Sequence, residues 1–180
     1  MPSSYATPFG NTSSVSLETI NSIAQIVAAV GVIASLFYLA AQIRQNTKSH
    51  RSLVVDSLTS SLIAVLGPQA SDPALTRACA AAVEDWNGAR EEDRLRAACV
   101  LLALFKLSEN AWFQQRHGTL DRDEWQGWDL YVRAYYHRPG VQTWWSLRRG
   151  MFSSGFRDYI EATKPMAEVV PLTELIRGKS

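Results

Sequence analysis

The chain has 180 residues, with 18 Lys and Arg against 17 Asp and Glu, and a formal charge of +1. So even a balance excludes a dedicated nucleic-acid binder, which needs a clear basic excess to meet phosphates. Two cysteines, Cys79 and Cys99, with no CxxC between them, exclude a disulfide scaffold and point to small buried thiols in a reducing compartment.

Residues 1–17 read as a polar extracytoplasmic lead. Pro2, Pro8, Gly10 and Asn11 stand among Ser and Thr, and no Lys or Arg occurs. A signal peptide opens on positive charge and has a shorter apolar run, so this start does not fit one. From Thr19 to Ile43 no residue is charged. Those residues would form roughly 38 Å of helix, enough to cross a ~30 Å hydrocarbon core. Residues 18–43 are therefore predicted to be a transmembrane helix, with Ser16 as its cap and Glu18 in its first turn. Ser35 can bond to its own helix, while Gln25, Tyr38 and Gln42 fall near the ends. The competing reading, a buried helix of a soluble protein, fits poorly because such helices seldom run past about 20 residues without a charge. Arg44, Lys48 and Arg51 follow the span, and only Glu18 precedes it. The positive-inside rule then places the N-terminus outside and residues 44–180 in the cytoplasm, which in a bacterium means at the inner membrane. Within the span, Ala24 and Ala28, and Gly31 and Ser35, lie four apart, a spacing that lets another helix approach closely.

About 137 residues remain, one domain's worth. They hold all the basic residues and every acidic one but Glu18, for a formal +2. A helical extension is predicted over 44–66. Val54 or Val55, Leu58, Leu62 and Val65 or Leu66 form its apolar stripe, and Gly67-Pro68 ends it. Together with the span it makes one helix of about 50 residues, roughly 75 Å long. Residues 72–163 are predicted to be a cytoplasmic helical domain. Asp72-Pro73 opens a second helix that runs to about Trp86. A third starts near Arg90 with Glu91, Glu92 and Asp93 in its first turn, and its AACVLLALF middle reads as the central buried helix. Gly118 suits its C-terminus. Asp121 with Glu124 forms a capping-box variant for a fourth helix, to about His137. Pro139-Gly140 breaks the chain before a fifth helix, Val141 to Arg149. A short sixth spans about Ser154 to Thr163, and residues 164–180 read as an irregular tail around Pro171. The expected fold is all-α, a single transmembrane helix running into a long helix and then a small bundle of about five helices.

Glu109-Asn110-Ala111-Trp112-Phe113-Gln114-Gln115-Arg116-His117-Gly118-Thr119-Leu120 is a distinctive run. So are Trp125 and Trp128, Pro139-Gly140-Val141-Gln142-Thr143-Trp144-Trp145, and Phe152-Ser153-Ser154-Gly155-Phe156-Arg157-Asp158-Tyr159-Ile160. With the span and its Gln42-Ile43-Arg44-Gln45-Asn46-Thr47 exit, these resemble a family of uncharacterised bacterial proteins over residues 18–163. The resemblance implies bacterial origin, one N-terminal span and a helical C-terminal domain. It implies no catalytic residues.

Candidate chemistry is sparse. Glu109 and His117 are eight apart, about 12 Å along a helix, too far to share a metal. HExxH, ExxH and CxxCH are absent, and His50 and His137 have no carboxylate or cysteine at ligand spacing. GxxxxGK[ST], GxGxxG and GxSxG are absent too. No cofactor, metal or catalytic residue is expected. Glu109 shares a helix face with Leu102, Phe105, Trp112 and Phe113, so burial could raise its pKa and make it a general base. The plainer expectation is a structural pair with Arg116 or Arg133. Trp125, Trp128, Tyr131 or Val132, and Tyr135 recur at helical spacing, as a core stripe does. Trp144 and Trp145 are adjacent, so one of them is expected at the surface, near Arg133, His137, Arg138, Arg148 and Arg149.

The leading expectation is a non-enzymatic accessory subunit that stabilises a larger inner-membrane complex, of respiratory or photosynthetic type. Its contacts would be Ala24, Ala28, Gly31 and Ser35 in the span and Trp144, Trp145, Arg148 and Arg149 in the domain. Arg44, Lys48 and Arg51 join these as contacts for a partner or for anionic lipids, since an aromatic-plus-arginine surface such as that around Trp144, Trp145, Arg148 and Arg149 suits anionic headgroups as well as protein. Two alternatives compete. One is a membrane-tethered enzyme or sensor with a pocket near Glu109 and His117. The other is a homo-oligomeric pore lined by Gln25, Ser35 and Gln42.

Overall fold

The computed structural model describes residues 16–165. Most of the lead (1–17) and of the tail (164–180) lies outside them. Helix α1 spans Leu17–Ser71, α2 Pro73–Glu84, α3 Glu91–Arg116, α4 Arg122–Tyr136, α5 Pro139–Arg148 and α6 Ser154–Glu161, with a 3-10 turn at Arg149–Met151. The protein is all-α, and no strand occurs among the described residues. The chain divides into two units after Thr47, so the division falls inside α1.

In the first unit every described residue is exposed, including Ile20, Ile26, Val30, Ile33, Phe37 and Ile43. α1 is long and apolar enough to cross a membrane, and none of its most apolar window is covered by protein. A soluble protein's core helix would be covered. Ser16 caps the start, with its Oγ accepting from the Thr19 N–H at 3.4 Å. Ser35 Oγ donates to the Gly31 carbonyl at 2.8 Å, and Thr47 Oγ1 to Ile43 at 2.9 Å. These bonds satisfy both hydroxyls within the helix, so neither needs water.

In the second unit α1 continues past the predicted stop. Gly67-Pro68 does not end it, although Pro68 lacks the N–H that would bond Ala64. Tertiary and capping bonds compensate in the last turn. The Pro68 carbonyl accepts from the Asp72 N–H, Ser71 Oγ donates to Gly67, and Thr76 Oγ1 of α2 reaches back to the Gln69 carbonyl. The helix stops where Asp72 caps α2, accepting from Ala74 and Leu75 N–H ahead of Pro73 at the first turn. Upstream, Leu58 is buried against Ala111 and Leu120, with Val54, Val55, Leu107, Trp125 and Trp128 around it.

α2 stops at Glu84, short of Trp86, because the Asp85 carboxylate turns the chain by accepting from the Asn87 and Gly88 N–H groups at 3.1 and 3.0 Å. Ala82, Ala89 and Ala97 form a buried cluster, and side chains this small let α2 and α3 lie close together. The middle of α3 is not buried all round. Ala97, Leu101, Leu104, Phe105, Ser108 and Ala111 are covered, while Leu95 and Cys99 face outward. The helix still contributes to each of the three buried clusters, through Leu101 and Phe105, Ala111, and Ala97. Gly118, at φ +72°, takes the left-handed position that lets the chain leave α3. In α4 the buried edge is Val132 and Tyr136, and Trp125, Trp128, Tyr131 and Tyr135 are half-buried. The capping box at Asp121 does not form. Its carboxylate accepts from Arg51 Nη1 at 2.8 Å instead.

The main core holds Val83, Leu101, Phe105, Val132, Tyr136, Val141, Trp144, Trp145, Phe152, Phe156 and Ile160. The Phe105 ring packs, tilted, with its centre 5.2 Å from that of Trp144 and 5.5 Å from that of Trp145. The start of α5 presses on α2 at Gly140, where a Cβ would stand 1.9 Å from the Ala82 carbonyl oxygen. Gly140→Ala should therefore lower stability by about 3 kcal/mol. Gly150→Ala, whose Cβ meets nothing within 4 Å, should stay within about 0.5 kcal/mol of the parent. Denaturant titration followed by far-UV circular dichroism would compare the two.

Candidate functional site

Several polar side chains of the second unit join one element to another. Lys106 Nζ bonds the Glu109 carboxylate at 2.7 Å and donates to the Met151 carbonyl at 2.6 Å. Glu109 Oε1 in turn accepts from the Ser153 N–H at 2.6 Å, and the Lys106 ammonium lies 4.7 Å from the centre of the Phe152 ring. Two residues one helical turn apart thus grip the chain on both sides of Phe152. Burial works to raise the Glu109 pKa, but the bonds from Lys106 and Ser153 outweigh it and hold the carboxyl below its ordinary value. A raised-pKa general base is not what this site makes.

Neither expected arginine pairs with Glu109. Arg116 lies over the Trp112 ring at 4.9 Å. Arg133 bonds Asp129 at 3.1 Å and donates to the Lys164 carbonyl at 2.9 Å. Lys106 takes the pair because it sits one turn away on the same face. Glu109 and His117 do not converge either, since His117 stacks on Phe113 at 3.9 Å and its Nδ1 bonds the Phe113 carbonyl.

A second cluster ties α6 to α4. Tyr159 donates to Asp129, which also takes Arg133, and His137 Nε2 meets Thr163 Oγ1 at 3.0 Å. Burial, then the Asp129 bond, pushes the Tyr159 phenol up, so it stays protonated. Burial and the nearby Arg133 charge push the His137 imidazole down, so it is neutral at physiological pH. Arg138 of the α4–α5 link pairs with Glu84 of α2. Among the described residues no group of three or more His, Cys, Asp or Glu is placed to hold a metal ion.

The surface differs from expectation at the tryptophans. Trp144 and Trp145 are both buried, at 1 % and 3 % exposure. α5 is covered on more than one side, by Phe105 from α3, Phe152 from the turn, Tyr136 from α4 and Phe156 from α6. Adjacent side chains pointing in different directions therefore both meet protein. Trp145 Nε1 donates to Glu161 at 2.9 Å, and Arg149 bonds the other oxygen of that carboxylate. Of the four domain contacts expected, Arg148 and Arg149 remain exposed. Two residues that sequence reasoning passed over, Leu147 and Met151, are exposed beside them at 66 % and 50 %. Their four-residue spacing around the two arginines was the available signal. Ala24, Ala28, Gly31, Ser35, Arg44 and Lys48 are exposed on α1, while Arg51 is half-buried in its pair with Asp121.

No family model, no curated protein and no solved structure matches this chain. The roles of these residues therefore rest on geometry and chemistry alone.

Two measurements check the site. The folded pKa of Glu109 lies below its ordinary 4.5, so the group stabilises the fold above that pH and ceases to as pH falls through the folded value. Glu109→Gln should cost about 1 kcal/mol at neutral pH and flatten the acid limb of a stability–pH curve. The thiols differ as well. Cys99 is exposed, whereas Cys79 is half-buried and its pKa is pushed up to about 11 by desolvation. Maleimide should label Cys99 at neutral pH at least about tenfold faster than Cys79, as read by peptide mass spectrometry.

Proposed function

We propose that this protein is a single-span accessory subunit that binds and stabilises a larger membrane protein complex of the bacterial inner membrane. The observation that carries the reading is the uncovered apolar surface of α1 from Leu17 to Ile43. Such a surface needs lipid or another protein around it. The continuous helix favours an anchor over a cleaved leader. The titratable groups that meet, Lys106 with Glu109 and Tyr159 with Asp129 and Arg133, are engaged in bonds that hold the segment after α5 and α6 in place. This favours binding over catalysis.

In this reading the N-terminus is extracytoplasmic and the domain cytoplasmic, following Arg44 and Lys48. The span meets partner helices through Ala24, Ala28, Gly31 and Ser35. Respiratory and photosynthetic assemblies are the class of complex proposed.

Mild-detergent extraction of the native membrane, then size separation and mass spectrometry, tests the proposal. Co-migration with a large complex at fixed stoichiometry is expected. Migration as a monomer or as a ring of identical subunits would overturn it. Gly31→Ile should weaken the co-migration without unfolding the chain, because a Cβ at Gly31 meets nothing within 4 Å.

A further inference from the structure

We propose that the exposed corner Ser146–Met151 is a membrane-contact site, which docks on an anionic lipid surface through Leu147, Met151 and Arg148. The inference rests on the membrane anchoring proposed above and adds a second point of contact, made by the domain itself.

All six residues of the corner are exposed in sequence, where the chain passes from α5 into the 3-10 turn. Leu147 and Met151 are both exposed large apolar side chains, at 66 % and 50 %. Arg148 and Arg149 stand between them. Arg149 is held by Glu161, and Arg148 makes no ion pair among the described residues. From Leu130 to Arg157 the chain carries Arg133, Arg138, Arg148, Arg149 and Arg157 and no Asp or Glu, while Asp129, Glu84 and Glu161 pair with Arg133, Arg138 and Arg149. Apolar side chains flanked by arginine suit the boundary between acyl chains and anionic headgroups, where the leucine and methionine enter and the guanidinium meets phosphate.

The base of the corner is stiff. Trp145 and Phe152, on either side of the turn, are buried with ring centres 4.8 Å apart. Lys106 holds the Met151 carbonyl and Glu109 the Ser153 N–H. Little ordering is left to occur when the corner binds, which favours even a small contact. A chain already anchored by its span presents this weak surface at high effective concentration.

The test uses the full chain in lipid discs containing no other protein, either phosphatidylcholine alone or phosphatidylcholine mixed with phosphatidylglycerol. Cys99→Ser removes the exposed thiol, and Met151→Cys then carries an environment-sensitive fluorophore. An emission rise of about twofold with a blue shift is expected in the anionic discs and not in the neutral ones, with Arg148→Glu removing it. A label at Gln126→Cys, exposed on α4, should not respond. Hydrogen exchange of residues 146–152 in the chain without these substitutions should slow in the same discs. If neither the label nor exchange depends on lipid charge, the proposal is overturned, whatever the chain co-migrates with. If the corner is protected only after other membrane proteins are added, it is a protein contact and the proposal is again overturned. A chain that does not enter discs at all overturns the anchoring reading and this one with it.

Discussion

Phe105 is the point on which the fold of the second unit depends. Its ring meets Tyr136 of α4, Trp144 and Trp145 of α5 and Phe152 beyond the 3-10 turn. A single side chain on α3 thereby joins the C-terminal half of the chain to the helix that carries it. Aromatic rings supply the area for this because each buries a large surface with few rotatable bonds. The arrangement also accounts for the two adjacent tryptophans. Phe105, Tyr136, Phe152 and Phe156 meet this short helix from more than one side, so both rings are covered while Gln142 and Ser146, Leu147 and Arg148 stay exposed.

Polar groups around that core fix direction more than they add energy. Lys106 and Glu109 set where the chain turns after α5, and Asp129, Tyr159 and Arg133 set where α6 lies. Each bond contributes about 1 kcal/mol net, against several for burial of a tryptophan. Their value lies in choosing one packing among several that would bury the same rings. Close approach does the same at Gly140 and across the alanines of α2 and α3, where bulk would push the helices apart.

The two units solve opposite problems of solvation. Beyond Lys48 the apolar residues find one another, and the surface retains a few exposed ones, such as Leu147 and Met151. Among the described residues before Thr47 the apolar side chains are all exposed. One helix therefore begins as a surface that requires an apolar environment and continues as an ordinary amphipathic helix packed through Leu58.

Much of this was legible in the sequence because it follows from short-range rules. An uncharged run marks the apolar segment, and Asp72-Pro73, Gly118 and Pro139-Gly140 mark helix boundaries, since capping and backbone conformation are local properties. The all-α class follows from the same signals. What tertiary structure alone decided was every choice between partners. Asp121 could cap its own helix or pair with Arg51, and Glu109 had Lys106, Arg116 or Arg133 within sequence reach. Gly67-Pro68 could stop α1 or be carried through by bonds to α2. Cys99 and Trp144 could face in or out, and the arrangement of neighbouring helices turned one outward and the other inward. Such outcomes depend on residues far along the chain, so local pattern could name the candidates, and only packing could select among them.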